Sequence, residues 1–121
     1  MPLDRVPTTA LPLSPAVYLI LLALSEGDAH GYAIRASVVA LSDGLVKLDP
    51  GTLYRLIGRL VLDGAISEAP ERARPKDDDE RRRYYRLTER GRRAASVEAQ
   101  RLAELVHAAR TKRLLPVRGN G

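Results

Sequence analysis

Arg55 and Arg59 stand one helical turn apart and have the most chemistry to offer of any pair in the chain. A guanidinium can fork onto a guanine edge or a phosphate with two parallel N–H bonds. Thr52 adds a hydroxyl on the same side and Tyr54 a phenol at its border. No acid interrupts this set before Asp63. These groups donate hydrogen bonds; they do not break covalent bonds. Elsewhere no Ser/His/Asp set, glycine-rich phosphate loop or carboxylate pair stands out, so nucleophile and base are both missing and no enzyme is expected. His30 and His107 lie far apart with no ligand spacing near either, so neither a metal nor a cofactor is expected.

The element that must position the arginines runs from Asp49 to Gly64. Asp49 is a good N-cap, Pro50 suits the first helical position, and Gly64 is a natural stop. Leu53, Leu56, Ile57, Leu60 and Val61 recur at helical spacing and predict a buried face. Thr52, Arg55, Gly58 and Arg59 then face outward. A helix buried on one side and basic on the other suits a major-groove reader. The same pattern also suits a core helix with a solvated face. Gly51 and Thr52 lie at the positive end of the helix dipole, where backbone N–H groups can take a phosphate. Tyr54 suits either a phosphate contact or half-buried packing.

Composition narrows the partners. The chain has 121 residues, room for one domain, and 45% of them are hydrophobic, enough for a core. Its net charge is +5 and its pI about 10.0, which favours an anionic partner. There is no cysteine, so disulfides and thiolate metal sites are excluded, and a reducing cytoplasm is the expected location. The longest apolar run, Ala16 to Leu24, is nine residues, less than half of what spans a bilayer. No basic start followed by an apolar run and a cleavage site is seen, so neither a signal peptide nor membrane insertion is expected.

In chain order, residues 1–13 hold three prolines and read as a flexible arm. Ser14-Pro15 opens a first helix that runs to about Glu26. It is apolar nearly all round, through Val17, Ile20, Leu21 and Leu24 among others, so every side must be covered. The simplest expectation puts the domain core on one face and a second chain on the other, with those four residues at the interface. A second helix is predicted from Gly31-Tyr32 to about Ser42, its inner face Ala33, Ile34, Val38 and Leu41. Leu45 to Leu48 is an apolar link with room for one short strand. Ala65 to Glu68 and Arg83 to Leu87 read as strands. Between them lies a long charged loop, making a β-hairpin wing. Thr88 caps a last helix, on which Ala95, Ala99, Leu102, Val106 and Ala109 form a heptad-like stripe. That stripe is expected to pack on the first helix and on a partner copy.

The predicted fold is therefore mainly α with a small β-hairpin: a winged helix-turn-helix plus a C-terminal dimerisation helix. Its parts are an arm over 1–13, the winged helix-turn-helix over 14–90, the dimerisation helix over 91–115 and a flexible tail over 116–121. The wing brings Arg74, Lys76, Arg81, Arg82 and Arg83 towards the partner, but also Asp77, Asp78, Asp79 and Glu80. Four adjacent acids cannot lie against phosphates without strong repulsion, so they are expected at the loop tip, turned away.

Four stretches resemble the PadR family of bacterial transcriptional regulators. They are Leu13 to Leu24, His30-Gly31-Tyr32-Ala33-Ile34, Gly51-Thr52-Leu53-Tyr54 with Leu60 and Gly64, and Arg83-Tyr84-Tyr85-Arg86-Leu87-Thr88-Glu89-Arg90-Gly91. Each motif is weak alone; the four in this order are fairly specific. The family commonly has proline after Gly-Thr-Leu-Tyr, where this chain has Arg55, and serine where it has Asp49. One helix after the wing makes this resemble the family's shorter form. The resemblance implies a homodimeric repressor that binds double-stranded operator DNA, often near its own gene, and often answers to a small-molecule effector. The alternative is a winged-helix module that binds protein. A protein-binding third helix would more often expose apolar anchors than a basic face.

Overall fold

Four side chains set where the helices begin. Ser14 accepts from the Val17 N–H (3.2 Å) and starts α1 (Pro15–Leu24). His30 Nδ1 accepts from the Ala33 N–H (3.2 Å) and starts α2 (Gly31–Leu41). Asp49 accepts from the Thr52 N–H (2.8 Å) and starts α3 (Pro50–Leu62). Thr88 accepts from the Gly91 N–H (3.1 Å) and starts α4 (Glu89–Thr111). Each cap satisfies a donor that the helix itself cannot, a gain of about 1 kcal/mol. The computed structural model describes residues 7–70 and 82–116.

The helix ends differ slightly from expectation. The first helix stops at Leu24, because both the N–H and the hydroxyl of Ser25 turn back onto the Leu22 carbonyl. At the end of α3, Ala65 donates to Leu60 (2.9 Å) and Gly64 to Val61 (3.0 Å), with Gly64 in the left-handed region at φ 79°. The last helix ends at Thr111 rather than at 115.

Three strands form one antiparallel sheet in the order β1 (Ala29–His30), β3 (Tyr84–Leu87), β2 (Ile66–Glu68). Ala29 pairs with Tyr85 and His30 with Tyr84; Ile66 pairs with Leu87 and Glu68 with Tyr85. The predicted hairpin thus gains an edge strand. It is secured by Asp28, whose carboxylate takes Arg86 Nε (3.0 Å) and Nη2 (2.8 Å). The link Leu45 to Leu48 is not a strand. It is held by Ser42 Oγ, which accepts from the Val46 N–H (2.9 Å), and by Arg35 Nε, which donates to the Leu48 carbonyl (2.6 Å).

The core joins α1, α2, α3 and the sheet through Leu13, Ile34, Val38, Leu53, Ile57, Leu60, Ala65, Ile66 and Tyr85. It also holds Val17, Ile20, Leu21 and Leu24, which corrects their expected place at a dimer interface. All four are at most 2% exposed within one chain. The protomer covers α1 itself, with α2, β3 and α4 packed around it. The half-buried residues of α1 are Ala16, Tyr18, Leu19, Leu22 and Ala23. Val61 and Leu41, expected inside, face outward.

Residues 7–13, expected in a flexible arm, are held at two points. The Thr8 N–H donates to Asp63 (2.6 Å), and Leu13 is buried. Glu98 on α4 is 2% exposed and takes Arg101 Nε (2.8 Å) and Nη2 (2.7 Å). The Leu13 N–H also supports the Glu98 charge, so α4 and this segment meet at one buried carboxylate.

Those contacts predict acid lability. Arg101 holds the Glu98 carboxyl below its ordinary value of 4.5. The Arg86 hydrogen bond and the Thr52 N–H hold Asp28 and Asp49 below 3.8. A carboxyl whose folded pKa lies below its unfolded one stabilises the fold above the unfolded value. That contribution is lost as pH falls through the folded value. The urea midpoint should therefore drop between about pH 6 and about pH 3, and Asp28→Asn should flatten part of that drop. A midpoint unchanged over this range would contradict the assigned ion pairs.

Candidate nucleic-acid interface

Burial fixes which face of α3 is free. Leu53, Ile57 and Leu60 are locked into the core. Tyr54, Arg55, Gly58 and Arg59 are exposed on the opposite side. Among the described residues neither arginine makes an ion pair, so both guanidiniums face solvent with their donors outward.

The phosphate seat expected at Gly51 and Thr52 is taken. Asp49 accepts from the Thr52 N–H and from the Thr52 hydroxyl (3.0 Å), and the Gly51 N–H also supports its charge. The chain's own carboxylate fills the helix N-terminus, and a phosphate there would meet a like charge.

A different site gathers beside it. His30, Gly31 and Tyr32 at the start of α2, Tyr54 of α3, and Arg82, Arg83 and Tyr85 of the wing stem line one open cleft. None of these residues is acidic. Tyr54 is 51% exposed, yet its ring lies hard against Gly31. A Cβ on Gly31 would meet the Tyr54 hydroxyl and, at 2.7 and 2.8 Å, two of its ring carbons. Only glycine lets α2 and the Tyr54 ring approach so closely. Burial pushes the Tyr85 hydroxyl above the ordinary tyrosine range. Arg82 and Arg83 are exposed, and Arg82 Nη1 lies 3.2 Å from His30 Nε2.

The structure thus brings Tyr54, Arg82 and Arg83 to one cleft, with Arg55 and Arg59 on the outer face of α3. Arg74, Lys76, Arg81 and the acidic run Asp77 to Glu80 lie outside the described residues. Sequence reasoning missed His30 and Tyr32. The one available signal is a histidine directly before a helix start. The cleft offers guanidiniums, an imidazole and phenols: groups that bind an anion.

The model of the transcriptional regulator PadR-like family matches residues 20–97. The chain belongs to that family. This PadR-like chain is also 29% identical to a transcriptional regulator from Clostridium thermocellum of known structure, with a TM-score of 0.62, covering 80% of this chain and 87% of that one. It shares its fold with a PadR family transcription regulator from Clostridium difficile at 23% identity and a TM-score of 0.65, covering 81% and 97% of the two chains. It is 38% identical over 90 residues to the uncharacterized 37.1 kDa protein in transposon TN4556 of Streptomyces fradiae. That match covers 74% of this chain, which spans only 24% of the relative. The family is one of transcriptional regulators. The winged-helix fold expected from the sequence is the fold found, with a three-stranded sheet in place of a hairpin. Among the described residues no helix is long and apolar enough to cross a membrane.

Proposed function

We propose that the protein is a homodimeric PadR-like repressor that reads operator DNA near its own gene. The observation that carries this is α3: its apolar face is locked in the core, and its outer face presents Arg55 and Arg59 to solvent. In this reading α3 enters the major groove, Arg55 and Arg59 reach base edges, and the wing stem holds the flanking backbone.

The dimer surface is carried by α4. At 23 residues it extends about 34 Å, well beyond what the core covers. Ala99 and Val106 are exposed along it, with Leu102 and Ala109 half-buried. Leu105 beside them is 55% exposed. Leu102 also borders an apolar cleft with Leu13, Pro15, Tyr18, Leu19, Leu45 and Val46. Leu45 is 88% exposed and extends that apolar patch. A partner's α4 seated along this stripe would cover these groups and set the spacing of the two recognition helices. An effector acting at that seam changes DNA affinity only through its unequal affinity for the two spacings.

Sedimentation equilibrium tests the assembly. At micromolar concentration the mass should be near twice 13.3 kDa. Leu102→Glu and Val106→Glu together should return it to the monomer while leaving the core residues untouched. A wild-type chain that runs as a clean monomer would contradict the dimeric reading.

A further inference from the structure

Arg35 of α2 is tied down at one end only. Its Nε–H donates to the Leu48 carbonyl at 2.6 Å, and Leu48 stands directly before Asp49, the cap of α3. A guanidinium carries five N–H donors in one rigid plane. The Leu48 carbonyl takes the Nε–H, which leaves the four on the two Nη atoms. Among the described residues they form no ion pair. The side chain is half-buried, so its charged end is presented from a restrained stem.

Lys47 meets it from the link between α2 and α3. Tyr32, Arg35, Ala36 and Val39 share one face of α2 and line an open cleft together with Lys47. Lys47 is exposed and makes no ion pair among the described residues. Its backbone is pinned on both sides. The Val46 N–H donates to Ser42 Oγ (2.9 Å), and the Leu48 carbonyl accepts from Arg35. Asp49, two residues on, does not line the cleft; its carboxylate accepts from the Thr52 N–H and hydroxyl. Two like charges at one cleft repel until an anion sits between them. Because both are held in advance, that anion binds with little further ordering.

We infer that this cleft grips one backbone phosphate of the bound duplex, through the Arg35 Nη groups and the Lys47 ammonium, while Arg35 Nε holds the residue that leads into α3. The inference rests on the DNA-binding reading and adds Arg35 and Lys47 to the residues that touch DNA. Its consequence is geometric. One guanidinium joins the phosphate to the start of α3, so gripping the backbone and placing the reading helix are a single event.

The test titrates the full chain with a mixed-sequence duplex of about two helical turns, followed by anisotropy over a salt series. Lys47→Ala and Arg35→Ala should each bind about tenfold more weakly and lower the log–log salt slope by about one per subunit. The double variant should lose about twentyfold rather than about a hundredfold, because the same phosphate contact is lost each time. Arg35→Lys keeps the charge, but one ammonium cannot serve the carbonyl and the phosphate together, so it should bind at least about fivefold more weakly than the parent. Lys47→Ala should melt with the parent, since the side chain is exposed, and its loss of binding is then not a loss of fold. Inorganic phosphate replacing chloride at matched ionic strength should leave duplex binding unchanged. Single losses that multiply to about a hundredfold would mean two separate contacts and overturn the shared grip while DNA binding stands. So would Lys47→Ala or Arg35→Lys binding as tightly as the parent. Inorganic phosphate that releases the duplex from the parent but not from Lys47→Ala would make this a free-anion site and overturn the inference. If no duplex binds even at low salt, the DNA-binding reading fails and the grip fails with it.

Discussion

Gly91→Ala should lower stability by about 3 kcal/mol, and Gly58→Ala should raise it by about 0.5–1 kcal/mol. Both glycines sit in helices, so helix propensity alone predicts the same sign for both. Their surroundings differ. A Cβ on Gly91 would run into the Ala65 carbonyl oxygen and meet Leu87 Cδ1 at 2.8 Å and the Ala65 carbonyl carbon at 3.0 Å. That carbonyl cannot step aside, because it accepts from the Thr88 N–H (3.1 Å), and Thr88 Oγ1 donates to the Gly64 carbonyl (2.5 Å). The whole docking of α4 onto the α3–β2 turn depends on this approach. A Cβ on Gly58 meets nothing within 4 Å. Urea denaturation at one fixed protein concentration compares the three chains with the contribution of association held constant. Equal stabilities for Gly91→Ala and the parent would mean that α4 does not start where it is placed here.

Arg55→Ala and Arg82→Ala should fail in different ways. Arg55 stands in the first turns of α3, on the exposed face, where a recognition helix reaches base edges. Losing a forked base contact costs about 1–3 kcal/mol and relaxes the preference at one position of each half-site. Arg82 stands on the wing stem at the mouth of the cleft. Its loss should weaken all sequences about equally and reduce the salt slope by about one per subunit. Both side chains are exposed, so neither variant should melt much lower than the parent. Binding of each to operator and scrambled duplexes across a salt series separates the two failures. If Arg55→Ala weakens both duplexes by the same factor, α3 does not read bases through that residue.

Much of the fold was legible because it rests on local chemistry. Ser14, Asp49 and Thr88 are ordinary caps, and each caps the helix it was expected to cap. His30 caps one too and was missed, because an imidazole nitrogen seldom does this work. The strand Ala29–His30 was missed because two residues carry no alternation to read. The first helix was misjudged for a different reason. Its apolar surround correctly called for cover on every side, but periodicity cannot say which chain supplies it. Here α2, β3 and α4 of the same chain supply much of it, the last two from far along the sequence. The same limit applies to the interface. Arg55 and Arg59 were placed by spacing alone, whereas the cleft that joins His30 to Arg82 depends on a contact across 52 positions.

The central claim is selective DNA binding through a basic face, and a competition gel shift tests it most directly. The probe is the DNA flanking the protein's own gene, with excess scrambled duplex of the same length and composition as competitor, repeated over a salt series. A discrete shifted complex should survive the scrambled competitor and disappear with unlabelled probe. If each half of the dimer neutralises three or four phosphates, its log–log salt slope should be about −6. A probe displaced equally by scrambled and specific duplex, or a slope near zero, would contradict it.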